Sequence, residues 1–142
     1  MGSCRRLLQP AAPDIGGFDE PLQPSIIANA IAAAVEFHST GDVEGAVDFS
    51  RGCGSKLAET RNLGWFDACA AFDEASLLIE DQPGMPSSKR FDGVAVVTRE
   101  MSAARTISDD ILAADSRLRR IRSQVEMAIV PTLEAEAVAV EP

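Results

Sequence analysis

The apolar positions of residues 25–41 recur at steps of three and four, which is the spacing of one helical face. Pro24 and Ser25 are suited to begin a helix there, and Gly41 is suited to end it. We therefore predict a first helix over 25–41, with small side chains that let another helix approach closely. The residues on its apolar face are Ile27, Ala30, Ile31, Ala34 and Phe37.

Two further helical patterns follow at once. Asp42 is suited to cap a helix that runs to Thr60. Three glycines weaken that helix by up to ~1 kcal/mol each relative to alanine, so we expect a break or bend at 52–54. A third helix is predicted over 63–81, because apolar residues again recur at steps of three and four and Pro83 follows.

The last predicted element is the longest, because no proline interrupts the chain between Asp92 and Pro131. We predict a helix over about 92–130, although residues 94–97 also have strand propensity. Prolines make residues 1–24 a predicted disordered arm. Residues 132–142 are acidic and mostly small, and we predict a disordered tail there. The sequence thus predicts an all-α fold, a bundle of three shorter helices and one long C-terminal amphipathic helix.

The long helix carries an uninterrupted heptad pattern of apolar residues. Such a stripe needs a partner helix, either in the same chain or in another copy. The a and d positions predicted to form this interface are Ala104, Ile107, Ile111, Ala114, Leu118, Ile121, Val125 and Ala128.

Charged residues flank this stripe in opposite halves. Asp110 and Asp115 lie at g and e in the first half, whereas Arg117 and Arg122 lie at g and e in the second. An antiparallel homodimer would pair acidic with basic halves, so we include both arginines in the predicted interface. Three alternatives stay open: packing on this chain's own helices, with the arginines meeting an acidic face over 67–81; a different protein partner; or a solvated face with local ion pairs.

Composition narrows the classes of partner and compartment. The chain has a formal net charge of −9 and a pI near 4.5, which argues against binding nucleic acid or an anionic membrane surface. Its three cysteines are odd in number and widely spaced, which favours a reducing compartment and a cytoplasmic location. No apolar run approaches the ~18 residues of a membrane span.

Catalytic and metal-binding signatures are not found in the sequence. His38 is the single histidine, and no HxxxH, ExxH or CxxC spacing accompanies it. The GCGSK stretch at 52–56 lacks the residue order of a phosphate-binding loop. Cys53 would be a reactive thiol only at a helix N-terminus near basic residues. We therefore predict no catalytic, cofactor-binding or metal-binding residues, and the sequence favours a protein that is not an enzyme.

These features favour an acidic helical interaction protein, such as a small regulator, adaptor or chaperone-like subunit, that acts through its C-terminal helix. An alternative is a bundle that binds a small apolar ligand, and a further alternative is an acidic inhibitor that mimics nucleic acid. The aromatic residues of the candidate ligand pocket are Phe49, Trp65, Phe66 and Phe72.

Overall fold

The computed structural model describes residues 17–82 and 111–140, and the protein is all-α, as predicted. Four helices occupy these ranges. The first three agree with their predicted bounds to within a residue or so. The helices are α1 (Pro24–Thr40), α2 (Val43–Thr60), α3 (Leu63–Glu80) and α4 (Ile111–Val140).

Two short links reverse the chain between the first three helices. Gly41 follows α1 in the left-handed conformation, with φ of 72°, and Asp42 then caps α2 by accepting a hydrogen bond of 2.8 Å from the Gly45 N–H. At the second link Asn62 accepts a bond of 2.8 Å from the Gly64 N–H and so begins α3. Among these three helices, α2 is therefore antiparallel to both α1 and α3, and α1 and α3 run in parallel.

Polar contacts give the direction of α4. Arg117 pairs with Asp67 near the start of α3, and Arg122 pairs with Glu74 one helical turn or more further along. The two pairs advance in the same direction, so α4 runs parallel to α3. Because α3 contacts all three other helices, it is the central element of the bundle, and α4 packs on α3 and α1.

Helix α2 passes through its glycines without the break we expected at 52–54. Cys53 between the glycines and Leu57 beyond them are both buried. The buried face is thus continuous across this segment, and tertiary packing outweighs the weak helix propensity of the glycines.

The long helix differs from its prediction at its C-terminal end. It continues through Pro131 to Val140, whereas we expected it to end at Pro131 and a disordered tail to follow. Proline removes one helical hydrogen bond, but Pro131 is exposed while Ile129 and Leu133 on either side of it are buried. The packing of these two side chains stabilises the helical turns before and after Pro131. The predicted start of this helix, including 94–97, lies outside the described residues.

The predicted N-terminal arm also differs in its last residues. Phe18 is only 4 % exposed and Leu22 is partly buried against the core, so residues 17–23 belong to the folded body. The Phe18 ring packs on the Phe66 ring of α3, and this burial of apolar surface favours the folded position of the segment. Residues 1–16 lie outside the described ranges.

Two glycines of α2 give a matched test of this packing. A Cβ atom at Gly45 would collide with the Asp42 carboxylate and lie 2.7 Å from the Phe37 ring, whereas one at Gly52 would meet nothing within 4 Å. We expect Gly45→Ala to lower the free energy of unfolding by roughly 1–3 kcal/mol. Gly52→Ala should raise it by about 0.5–1 kcal/mol, because alanine favours the helix. Urea unfolding of both variants measures the difference, and equal effects would contradict the packing at Gly45.

Candidate functional site

The predicted apolar stripe of α4 packs against the chain's own helices. Ala114, Ile121 and Val125 are fully buried, and Leu118 is half-buried. The heptad pattern then fails, since Ala128 is exposed while Ile129 and Leu133 take the buried positions. A straight helix drifts by about 20° per heptad, which accounts for this shift.

The remaining predicted interface positions have different outcomes. Ala104 and Ile107 lie outside the described residues, as does the side chain of Ile111. Arg117 is fully buried inside the chain, and Arg122 is largely exposed but paired with Glu74. In the single chain, the stripe thus packs on the chain's own helices, and these two arginines pair with acidic residues of α3. The antiparallel homodimer stays a prediction.

The centre of the site is the guanidinium of Arg117, which uses all five of its N–H donors. Two of them form a bidentate pair with the Asp67 carboxylate, over 2.7 and 2.8 Å. The other three donate to main-chain carbonyls of the N-terminal segment, at Glu20 (2.6 Å), Phe18 (3.1 Å) and Pro21 (3.3 Å). A buried arginine needs such full pairing, because each unsatisfied donor would carry the cost of lost hydration.

Asp67 accepts from two directions at once. Besides the Arg117 guanidinium, the main-chain N–H of Gln23, which caps α1, donates to its carboxylate. Burial raises the pKa of Asp67 above its usual value, and the two donors offset only part of this effect. One buried carboxylate thereby connects α3 to α4 and to the start of α1.

The N-terminal segment, residues 17–21, forms a turn across this pair. The Glu20 N–H donates to the Gly17 carbonyl over 2.9 Å, and Arg120 of α4 donates to the Phe18 carbonyl over 2.6 Å. The Phe18 ring meets the Phe66 ring edge to face, with centroids 5.3 Å apart. The segment is thus held by one aromatic anchor and by main-chain hydrogen bonds.

A second polar cluster lies further along α3. Arg122 donates to Glu74 over 3.1 Å, while the neighbouring Asp73 has a buried carboxylate oxygen with no hydrogen-bond partner. Burial and the adjacent Glu74 charge raise the pKa of Asp73 to about 6, against a smaller opposing effect of Arg122.

The single histidine connects the far ends of α1 and α3. His38 is buried, with Nδ1 2.8 Å from the Ala34 carbonyl oxygen and Nε2 3.0 Å from a Glu80 carboxylate oxygen. Across the described ranges, no three histidine, cysteine or acidic side chains converge in a way that could hold a metal ion. His38 therefore joins two helices in this structure.

The structure does not bring the four predicted pocket residues together. The rings of Phe49 and Phe72 pack at 4.5 Å between centroids, beside Phe37, whereas Phe66 packs on Phe18. Trp65 is partly buried against the core. Cys53 lies in the interior of α2 and is buried, so it is not at the helix N-terminus that a reactive thiol would need.

Comparison with known proteins adds no assignment to this site. No protein-family model matches the sequence, and neither a curated protein nor a solved structure matches it. Among the helices in the described ranges, none combines the length and the apolar composition that crossing a bilayer requires.

Sequence reasoning included Asp67 in an acidic face that the arginines could meet but did not single it out, and it missed the three partners of Arg117 in the N-terminal segment. Phe18 is an isolated apolar residue in a proline-rich stretch, and Asp67 is an acidic residue flanked by Phe66 and Ala68. An apolar residue in a polar stretch and an acidic residue among apolar ones are both unusual, and this was the signal in the sequence that either residue has a structural role. The signal does not identify Arg117 as the partner, because Asp67 and Phe18 lie about fifty and a hundred positions from it in the sequence.

Replacing Arg117 by lysine tests the pairing. Arg117→Lys keeps the charge but offers three donors in place of five, so Asp67 and the segment carbonyls lose partners. We expect the free energy of unfolding to fall by about 2–5 kcal/mol. The exposed neighbour Arg119 is the control, since Arg119→Lys should change it by less than about 0.5 kcal/mol. Equal free energies of unfolding for the two variants in urea would show that the bidentate Arg117 guanidinium is not required for stability.

The raised pKa of Asp73 predicts that the stability of the fold depends on pH. Its folded pKa of about 6 lies above the usual 3.8, so the folded state binds more protons in this interval and stability rises as pH falls through 6. Asp73→Asn removes the buried charge, and we expect it to add roughly 1–3 kcal/mol at about pH 8. The gain should vanish at about pH 4, where the folded wild-type carboxyl is protonated. Urea unfolding at both pH values measures this, and a gain independent of pH would contradict it.

Proposed function

We propose that this protein is a non-enzymatic interaction protein that associates with a second copy of itself through the outer face of α4. This outer face is defined by Leu112, Met127 and Val130, which are 83 %, 79 % and 38 % exposed. In the described ranges the other exposed large hydrophobic residue is Val43 of α2. The observation that carries the proposal is this concentration of exposed apolar side chains on one helix.

The spacing of these residues suits a twofold arrangement. Leu112 and Val130 are eighteen residues apart, which is five turns, so both lie on the same side of α4 about 27 Å apart. The midpoint between them along the helix axis is at the level of Ile121, whose own side chain is buried on the opposite side of α4. If two copies of α4 cross there in antiparallel order, Leu112 of each copy lies level with Val130 of the other. Such a contact occurs twice, as a closed isologous dimer requires.

Exposed charges on α4 favour the same orientation. In the antiparallel order Arg119 lies within about one turn of Glu126 of the second copy, whereas a parallel pair would place Arg119 beside its own counterpart. Exposed ion pairs contribute only ~0.2–1 kcal/mol each. The charges therefore select the orientation, while the apolar contacts supply the affinity.

Light scattering on a concentration series tests the dimer. We expect the wild-type chain to reach twice the mass of one chain and Val130→Lys to stay at the mass of one chain, because the lysine places a charge in the apolar contact. Val43→Lys is a matched control, since the exposed fraction of Val43, 42 %, is similar to that of Val130, but Val43 lies on α2. It should dimerise as the wild type does.

Two results would contradict the proposal. One is a wild-type chain that stays monomeric at every concentration, and the other is a Val130→Lys variant that dimerises as strongly as Val43→Lys. Circular dichroism of both variants ensures that a loss of mass reflects lost association and not unfolding.

A further inference from the structure

We infer that the groove between α3 and α4 is a docking site for an extended protein segment that carries a phenylalanine, and that residues 17–21 of this chain occupy it. The segment groove is defined by Phe66, Asp67, Arg117 and Arg120. The partner that fits this groove is a protein segment that carries one phenylalanine and follows the same main-chain path as residues 17–21. It would bind by displacing residues 17–21 from the groove.

Recognition in the segment groove is mostly of the main chain. The three Arg117 bonds that do not go to Asp67 all end on carbonyl oxygens, and the Arg120 bond ends on the Phe18 carbonyl. Carbonyl oxygens are common to every amino acid. A segment of different sequence but the same backbone path therefore satisfies the same donors.

A single side chain supplies the selectivity. Phe18 is 4 % exposed and packs its ring on Phe66, whereas Asp19, Glu20 and Pro21 are exposed. An aromatic anchor in a pocket beside main-chain hydrogen bonds is the usual division of work in peptide recognition. The groove therefore requires phenylalanine at one position and accepts variation at the next three.

The contacts of the segment make exchange easier than simple opening. If residues 17–21 left with nothing in their place, Arg117 would keep its bond to Asp67 but exchange three carbonyl partners for water. The Phe18 and Phe66 rings would become exposed at the same time, and exposing apolar surface to water is unfavourable. This cost is avoided when an incoming segment supplies a phenylalanine ring and the same carbonyl oxygens while the resident segment leaves. The filled groove is therefore more stable than the empty one, whichever segment fills it.

This inference does not depend on the proposed dimer. Arg117 lies about 140° around α4 from Leu112 and Val130, so the segment groove and the outer face are different sides of the helix. A failed peptide-binding experiment would leave the dimer untouched, and a monomeric chain would leave the groove untouched.

A labelled peptide with the sequence of residues 16–24, GGFDEPLQP, tests the groove by fluorescence anisotropy. The receptor is the full chain with Phe18→Ala, which weakens the resident segment. We expect saturable binding, a higher melting temperature with peptide, and affinity at least about tenfold above that of the same peptide with alanine in place of phenylalanine. If Phe18→Ala is unfolded alone, the peptide should restore its helical circular dichroism.

Two neighbouring arginines provide the matched controls. In the Phe18→Ala chain, Arg120→Ala should weaken peptide binding by about tenfold, because it removes a charged donor to the phenylalanine carbonyl. Arg119→Ala should change it less than about twofold. The inference is overturned if the peptide neither binds nor raises the melting temperature or helicity, if the alanine peptide binds equally well, or if the two arginine variants behave alike.

Discussion

The burial of one arginine is the constraint on which the rest of this structure depends. Arg117 is fully buried, and a buried guanidinium is tolerated only when its donors are paired. Its five acceptor oxygens belong to Asp67 of α3 and to residues 18–21, so three parts of the chain must assemble together: α4, α3 and the N-terminal segment. An apolar stripe alone could shift along α3 by one turn, but the bidentate bond to Asp67 fixes one register.

The same constraint explains why an acidic chain gathers its arginines on one helix. Residues 17–82 contain twelve acidic and three basic residues, whereas the described side chains of α4 include four arginines and two acidic residues. Arg117 and Arg122 pair with carboxylates of α3, and Arg120 pairs with the main chain of the N-terminal segment. The arginine cluster is therefore complementary to the acidic three-helix unit on which α4 packs.

The first three helices could be predicted because their signals are local. Gly41, Asp42 and Asn62 end or begin helices through contacts within a few residues, and the apolar periodicity is visible in any short window. The position of Arg117 could not be predicted, since its spacing suits an exposed face, an interface or an interior equally well. Only Asp67 and Phe18, far away in the sequence, decide between them. The helical turns after Pro131 likewise depend on the burial of Leu133.

The division of α4 into sides determines which substitutions can report on function. Residues of the inner stripe such as Ile121 are fully buried in the chain's own core, so a charge introduced there unfolds the protein whether or not it has a partner. Arg117 has the same limitation. Informative positions are those that are exposed in the single chain, such as Met127, or that donate a hydrogen bond to the N-terminal segment from an exposed position, such as Arg120. Association and stability can be separated in this protein because, among residues 17–82 and 111–140, α4 contacts the core through its inner stripe while Leu112 and Met127 stay exposed.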